Sequence, residues 1–318
     1  MASHNAVYTN GKPKIVVIAG PTGVGKTAAA VAVADAFGGE VVGADSMQIY
    51  RHMEIGTAKP TAAEQARVRH HLIDIRDPDE PFDAARYADT AGEVVWALHR
   101  EGRLPLVVGG TGLYIKALVH GIFQARPTDP DVRERLKSEA ETLGTGALFQ
   151  RLRLTDPETA RRVHPGDTFR IIRALEVRET TGTPMSAHHR AHGFGEAPFE
   201  ALKVGLTLPR DHLYDRIDRR VERMIGQGLL EEVKGLLDRG YAPDLKSMNA
   251  IGYRHMAAYL AGDLSWKEAV RTLKRDTRRY AKRQLTWFRA DPEMVWHSPT
   301  DIAAITDRVA AFLKGRPV

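Results

Sequence analysis

The chain has 318 residues, 43% of them hydrophobic and 27% charged, enough to bury a full core in one large or two modest domains. It contains no cysteine, which excludes disulfides and thiolate metal sites and leaves His, Asp and Glu to carry any metal cluster. Lys and Arg outnumber Asp and Glu by 46 to 40, a net charge of +6 that mildly favours a polyanionic partner; no apolar run approaches the roughly 20 residues of a membrane span and residues 1–10 lack the regions of a signal peptide, so a cytoplasmic protein with no membrane partner is expected.

The first element is an apolar strand at residues 15–19 that runs into Gly20-Pro21-Thr22-Gly23-Val24-Gly25-Lys26-Thr27 and then an alanine-rich helix over 28–37. The run fits G-x-x-x-x-G-K-[ST]. Such a turn aims successive backbone N–H groups at one point and the helix adds its positive dipole end, so the loop is built to hold a di- or triphosphate. Lys26 supplies a point charge and Thr27 a hydroxyl for Mg²⁺. Residues 40–45 read as a short buried strand that delivers Asp45 to its carboxyl end, where ligands sit in open α/β sheets. Asp45 could cap the next turn, help hold Mg²⁺ or act in catalysis.

Residues 55–60 read as a loop, followed by a helical pattern through Arg69. His70 and His71 then precede an expected strand at 72–75; on extended backbone they point to opposite faces and do not suit one metal. Helical periodicity over 82–100, with Tyr87, Val94, Val95 and Leu98 among its apolar positions, leads to an apolar strand at 104–108 that ends in Gly109, Gly110 and Thr111. Strand alternating with helix argues for a three-layered α/β protein, a P-loop NTPase-like parallel sheet flanked by helices. Beyond Gly121 the texture becomes charged and helical until the next β-rich run at 201–208, so residues 121–200 read as a helical insertion between a core at 12–120 and a core-completing region at 201–318. Residues 181–198, with His188, His189 and His192, read as its solvated exit loop.

Two basic faces follow. Arg216, Arg219, Arg220 and Arg223 recur at helical spacing. Arg271, Lys274, Arg275, Arg278, Arg279, Lys282 and Arg283 share one broad face of a helix, with Val270, Leu273, Tyr280 and Trp287 roughly opposite. Only Asp276 offsets this charge within the run, and the face suits nucleic acid phosphates.

A phosphate loop first suggests a kinase, yet there is no arginine-rich lid of the nucleoside monophosphate kinase type and no base-reading Asn-Lys-x-Asp run. Gly109-Gly110-Thr111 stands where a Walker B acid would be expected. Together the phosphate loop, Asp45-Ser46-Met47-Gln48-Ile49-Tyr50, the run from Ile55 to Pro60, His71 to Asp74, Gly109 to Tyr114, Arg173 to Glu176, Ile251-Gly252-Tyr253-Arg254 and Tyr280 to Phe288 closely resemble the bacterial tRNA dimethylallyltransferases, in order and over nearly the whole chain. The resemblance implies transfer of the dimethylallyl group of dimethylallyl diphosphate to N6 of the adenine at tRNA position 37, with Mg²⁺. It implies Asp45 as base, Thr111 near the bridging oxygen of the diphosphate, and Lys26 and Arg220 on its phosphates. It places the anticodon stem-loop against Asp45, Ser46, Met47 and Gln48, against Arg170, Ile171, Ile172 and Arg173, against Gly252, Tyr253 and Arg254, and against Arg275, Arg278, Arg279 and Lys282. A monomer is expected. One departure is Phe169, where the family usually has Gln, which bears on one tRNA contact. Two rivals are an adenylate isopentenyltransferase acting on free AMP or ATP and a P-loop small-molecule kinase; the long basic helix and the full-length match weigh against both.

Overall fold

The computed structural model describes residues 11–121, 129–192 and 197–316. In chain order the elements are β1 (Lys14–Ala19), α1 (Lys26–Phe37), β2 (Gly39–Gly43), α2 (Ala62–Arg67), β3 (His70–His71), α3 (Ala84–Arg100), β4 (Leu104–Gly109) and α4 (Gly112–His120). Helices α5 (Pro130–Leu143), α6 (Thr145–Thr155), α7 (Pro157–Arg162), α8 (Thr168–Thr181) and α9 (Met185–His192) follow. The chain then returns through β5 (Glu200–Leu206), α10 (Arg210–Gly226), α11 (Leu229–Asp238), α12 (Tyr253–Leu260), α13 (Trp266–Arg289), β6 (Val295–His297) and α14 (Ile302–Leu313). It divides into two compact units, with the cuts after Val119 and before Pro198.

The larger unit is built on one parallel sheet of order β3-β2-β4-β1-β5-β6. Ile15, Val16, Val17, Ile18 and Ala19 are fully buried, as expected of a central parallel strand covered on both faces. Each such Val or Ile contributes about 1.5–3 kcal/mol through burial. Small residues on α1 (Ala29, Ala30, Ala34) let it lie close against the sheet, and Ile305 and Val309 of α14 join the same core. Register pairs Ala19 with Gly109 and Gly43 with Val108, so the carboxyl ends of β1, β4 and β2 finish at one level. There Ala44 N–H donates to the Val108 carbonyl at 2.8 Å, and Ala44 fits closely only because Gly109 carries no β-carbon, which would collide with the Ala44 carbonyl.

The smaller unit packs Leu136 of α5, Leu148 and Leu152 of α6 and Ile171, Ile172 and Leu175 of α8 into a separate core. Aspartates cap three of its helices: Asp129 on α5, Asp156 on α7 and Asp167 on α8.

Three expectations are corrected. The strand expected at 72–75 is instead confined to His70–His71, because Leu72 (φ 63°) and Asp74 (φ 56°) take left-handed backbone that no strand continues through. Of the apolar positions expected to face the core on α3, Val94 is only part-buried, and Ala91 fills that place between Tyr87 and Val95. The exit expected as loop at 181–198 contains α9, where His188 Nε2 meets the Thr181 hydroxyl at 3.0 Å. The His192 side chain and residues 193–196 lie outside the described residues, as do residues 122–128 of the insertion expected at 121–200.

Candidate active site

A cavity of about 690 Å³ opens at the carboxyl ends of β1 and β2, within the size range of small-ligand sites. The phosphate loop forms its floor through Thr22, Gly23, Gly25, Lys26 and Thr27. Gly20, Pro21 and Val24 shape the loop from behind: Pro21 and Val24 are buried, and Val24 N–H closes the turn on the Pro21 carbonyl at 3.3 Å. The Lys26 ammonium donates to the Gly20 and Pro21 carbonyls, each at 3.0 Å, and so arches over the loop. Burial is the main force drawing Lys26 down from 10.5 to about 8; Asp45 pulls it up and Arg220 pushes it down. Arg220 feels the same burial and the same carboxylate, which its own pKa shift reports. Lys26, Asp45 and Arg220 therefore form one electrostatic group on one cavity.

Asp45 stands on the turn after β2. Its Oδ1 accepts from Met47 N at 2.9 Å and Gln48 N at 3.3 Å, which fixes the carboxylate as a turn cap. Among the described residues Oδ2 has no donor, so one oxygen of this cavity-lining carboxylate is held and the other is not. Ser46, Met47 and Gln48 also line the space, and Gln48 Nε2 reaches back to the carbonyls of Thr57 and Ala58 at 3.2 and 3.1 Å. Thr111 lies directly behind this turn: its hydroxyl accepts from Ser46 N at 3.0 Å and its own N–H donates to the Ala44 carbonyl at 3.1 Å.

The loop that carries Thr57 is held by one side chain. Glu232 of α11 accepts from the backbone N–H groups of Glu54, Ile55 and Gly56 at 2.9, 2.7 and 3.1 Å and from the Tyr253 hydroxyl at 2.6 Å. Tyr253 is fully buried, with its ring against Gly56. Its side chain is thus a strut of the wall, and Gly252 beside it offers backbone to the cavity. Arg254 turns away to Asp276 at 2.8 Å.

The basic face of α13 is less bare than its own sequence suggests. Carboxylates arrive from α10: Arg278 is bidentate to Asp218 at 2.7 Å, and Lys274 meets Glu222 at 2.6 Å. Arg271 pairs with Glu268 at 2.6 Å, and Arg275 and Arg279 share Asp276 at 2.9 and 3.9 Å. Among the described residues no carboxylate pairs with Lys282 or Arg283, and Arg283 lies over the Tyr280 ring and lines the cavity. Trp287, expected opposite the charges, is 42% exposed and packs on Gly112.

In the smaller unit Ile171 and Ile172 are core residues, so any RNA contact there falls to other atoms. Arg170 pairs with Asp167 and Arg173 with Glu176, at 2.8 and 3.0 Å. Phe169 is 69% exposed with the Arg133 guanidinium over its ring.

Sequence reasoning left several contributors unassigned. Gln284 bridges the phosphate loop and Gly110, Arg216 reaches Gly25, Tyr280 places its hydroxyl beside Thr111, and Glu232 clamps the wall. Gln284 falls four residues after Tyr280, one turn further along the same face, and that spacing was the available signal. Arg216, spaced four before Arg220, was visible only as part of a basic face.

The model of the IPP transferase family matches residues 48–291. The chain belongs to the IPP transferase family. A tRNA dimethylallyltransferase of Desulfosudis oleivorans is 60% identical over 285 residues, covering 90% of this chain and 91% of that protein. The crystal structure of the tRNA isopentenylpyrophosphate transferase of Bacillus halodurans is 44% identical, with a TM-score of 0.72 over 96% of this chain and 98% of that one. A eukaryotic dimethylallyltransferase acting on tRNA reaches a TM-score of 0.81 at 28% identity, over 96% of this chain and 80% of that one. Proteins named for acting on tRNA thus share this overall fold. No helix among the described residues is long and apolar enough to cross a membrane.

Proposed function

We propose that this member of the IPP transferase family uses dimethylallyl diphosphate as donor and N6 of the adenine at tRNA position 37, beside the anticodon, as acceptor, with Asp45 as the base. The observation that carries this is the held carboxylate of Asp45, whose Oδ2 has no donor among the described residues, on the same cavity as Lys26 and the phosphate loop. The adenine amine is a weak nucleophile because its lone pair is shared with the ring, so its attack needs a proton acceptor in place. N6 forms its bond to C1 of the dimethylallyl group while the C1–O bond breaks, the N6 proton passes to Oδ2 of Asp45, and the bonding electron pair leaves with the diphosphate.

Negative charge grows on the leaving oxygen as that bond lengthens. Loop residues, Lys26 and Arg220 line the cavity that would receive it, and preorganised donors act most strongly on charge that develops in the transition state. The residues present fit Mg²⁺ of the phosphate-bound kind. Thr27 offers one hydroxyl on the first turn of α1, and among the described residues no group of three or more His, Asp or Glu forms a dedicated cage, which is how Mg²⁺ is held when phosphate oxygens and water complete its shell. When bound it would neutralise charge on the departing diphosphate. The acceptor base lies inside a stacked loop and has to be extruded to reach Asp45, which a single-stranded anticodon loop allows at low cost. Lys282 and Arg283 on α13, with no carboxylate partner among the described residues, would grip phosphates near the mouth of the cavity.

Incubation with radiolabelled dimethylallyl diphosphate and, in parallel, an unmodified anticodon stem-loop, AMP and ATP tests this. Label is expected in the stem-loop alone. Label in AMP, or phosphate transfer from ATP with none in RNA, would overturn it.

A further inference from the structure

Gln284 is 94% removed from solvent and uses both halves of its amide. Oε1 accepts from Thr22 N–H of the phosphate loop at 2.8 Å, and Nε2 donates to the Gly110 carbonyl at 2.9 Å. We propose that Gln284 is a positioning residue for the transfer reaction, holding the phosphate loop and the turn at Gly110 and Thr111 at one fixed separation; this rests on the function proposed above.

Three strand ends must agree in space for the chemistry, and two ties join them through the turn after β4. The turn after β2, with Asp45, is joined to the turn after β4 by Ser46 N–H on the Thr111 hydroxyl and by Thr111 N–H on the Ala44 carbonyl. The loop after β1, with Lys26, is joined to the turn after β4 through Gln284. The tie is specific to an amide. One partner is a donor and the other an acceptor; a carboxylate would face the Gly110 carbonyl with a second oxygen, and a thioether would serve neither. Gly110 is matched to it, since a β-carbon there would collide with Nε2.

The bond also decides which loop amides meet the diphosphate. Thr22 N–H is spent on Gln284 and Val24 N–H on Pro21, leaving Gly23, Gly25 and the first-turn amides of α1 for the anion. Without Gln284, the Thr22 amide is free to swing toward phosphate and the loop shifts relative to Thr111. The diphosphate would still bind, but its C1–O bond would no longer be aligned with Asp45. Tyr280, one turn earlier on α13, has its hydroxyl beside both Thr111 and Gln284, so the same helix braces this junction twice.

The test compares Gln284→Met, which keeps length and loses both bonds, with Gln284→Glu, which restores only the acceptor. Single-turnover transfer to an unmodified anticodon stem-loop is measured at saturating RNA and dimethylallyl diphosphate, alongside the Kd of each and the unfolding midpoint. Both variants are expected to transfer about 10- to 100-fold more slowly, with each Kd within about threefold of the parental value, because misplacing bound reactants costs rate and spares affinity. A Gln284→Met or Gln284→Glu rate within about threefold of the parent overturns the proposal. So does a diphosphate Kd that rises in step with the rate loss, which would make Gln284 a determinant of diphosphate binding and not of alignment. If the parental protein itself transfers no label, the functional assignment falls and this proposal with it; full-rate transfer by the variants brings down this proposal alone.

Discussion

At the scale of single residues the proposed function gives Asp45 and Lys26 separate roles, base and leaving-group clamp, and each has its own test. Replacing Asp45 by Asn preserves the acceptor for Met47 and Gln48 N–H while removing the proton acceptor, so single-turnover transfer is expected to fall by roughly 10²–10⁴-fold with stem-loop affinity unchanged. Loss of diphosphate affinity that extra Mg²⁺ restores would instead assign Asp45 to the metal. Lys26 gives a pH dependence. Its pKa lies near 8 in the free protein, and a diphosphate favours its charged form. Below pH 8 the ammonium is already present, whereas above pH 8 each diphosphate that binds must bring a proton in. Affinity for dimethylallyl diphosphate should hold level up to that point and then fall by as much as about tenfold per pH unit. Calorimetry at about pH 9 in two buffers of different ionisation heat should read nearly one proton taken up by the parent and much less by Lys26→Met. Equal heats in the two buffers for the parent would remove Lys26 from the diphosphate.

At the scale of elements, the strand, glycine-rich turn and helix at 14–37 were legible because every signal there is local: an apolar run, a spaced glycine motif and an alanine-rich segment. The basic helix was legible as a helix but not in its charge balance. Asp218 and Glu222 lie more than fifty residues earlier in the chain, and only the packing of α10 against α13 brings them to Arg278 and Lys274. Nor could Glu232 be assigned, since its three amide partners belong to a loop almost two hundred residues away. These pairings separate the cations that have a carboxylate partner from Lys282 and Arg283, for which none is found among the described residues. Changing Lys282 and Arg283 together to Ala should weaken stem-loop binding and flatten the slope of log affinity against log salt by about 1.4 to 1.8, as two phosphate contacts are lost. Arg278→Ala should lower the unfolding midpoint, because it strands the half-buried Asp218 carboxylate, and should change the salt slope much less. A larger slope change for Arg278 than for the Lys282 and Arg283 pair would reverse the assignment of the RNA face.

At the scale of the whole molecule, the parallel sheet brings chemistry from residues 20–27, 45 and 111 to one edge, and the helices that follow β5 close over it. The fold was readable at that level because strand ends carry the motifs in order. What joins the closing helices to one another is an ionic cluster between α12 and α13, and it predicts how folding responds to acid. Asp276 accepts from Arg254 and Arg275 and meets His255 Nε2 at 3.3 Å. Its pKa is held well below the ordinary 3.8, chiefly by the Arg275 hydrogen bond, while His255 is pushed below 6.5, first by burial and then by Arg254. Both shifts leave the unfolded chain binding more protons than the folded one, so both make stability fall as pH falls. The signs agree but the windows differ. His255 is neutral when folded, and its loss begins as pH drops through the unfolded value of 6.5; Asp276 contributes in full above 3.8 and loses its contribution as pH drops through its depressed folded value. Denaturant unfolding across pH should therefore show two declines. His255→Gln is expected to flatten the upper one and Asp276→Asn the lower, the latter with a lower midpoint near neutrality because three cations lose their shared partner. If His255→Gln left the slope below 6.5 unchanged, the buried histidine would carry none of the acid sensitivity and the lower window would have to account for all of it.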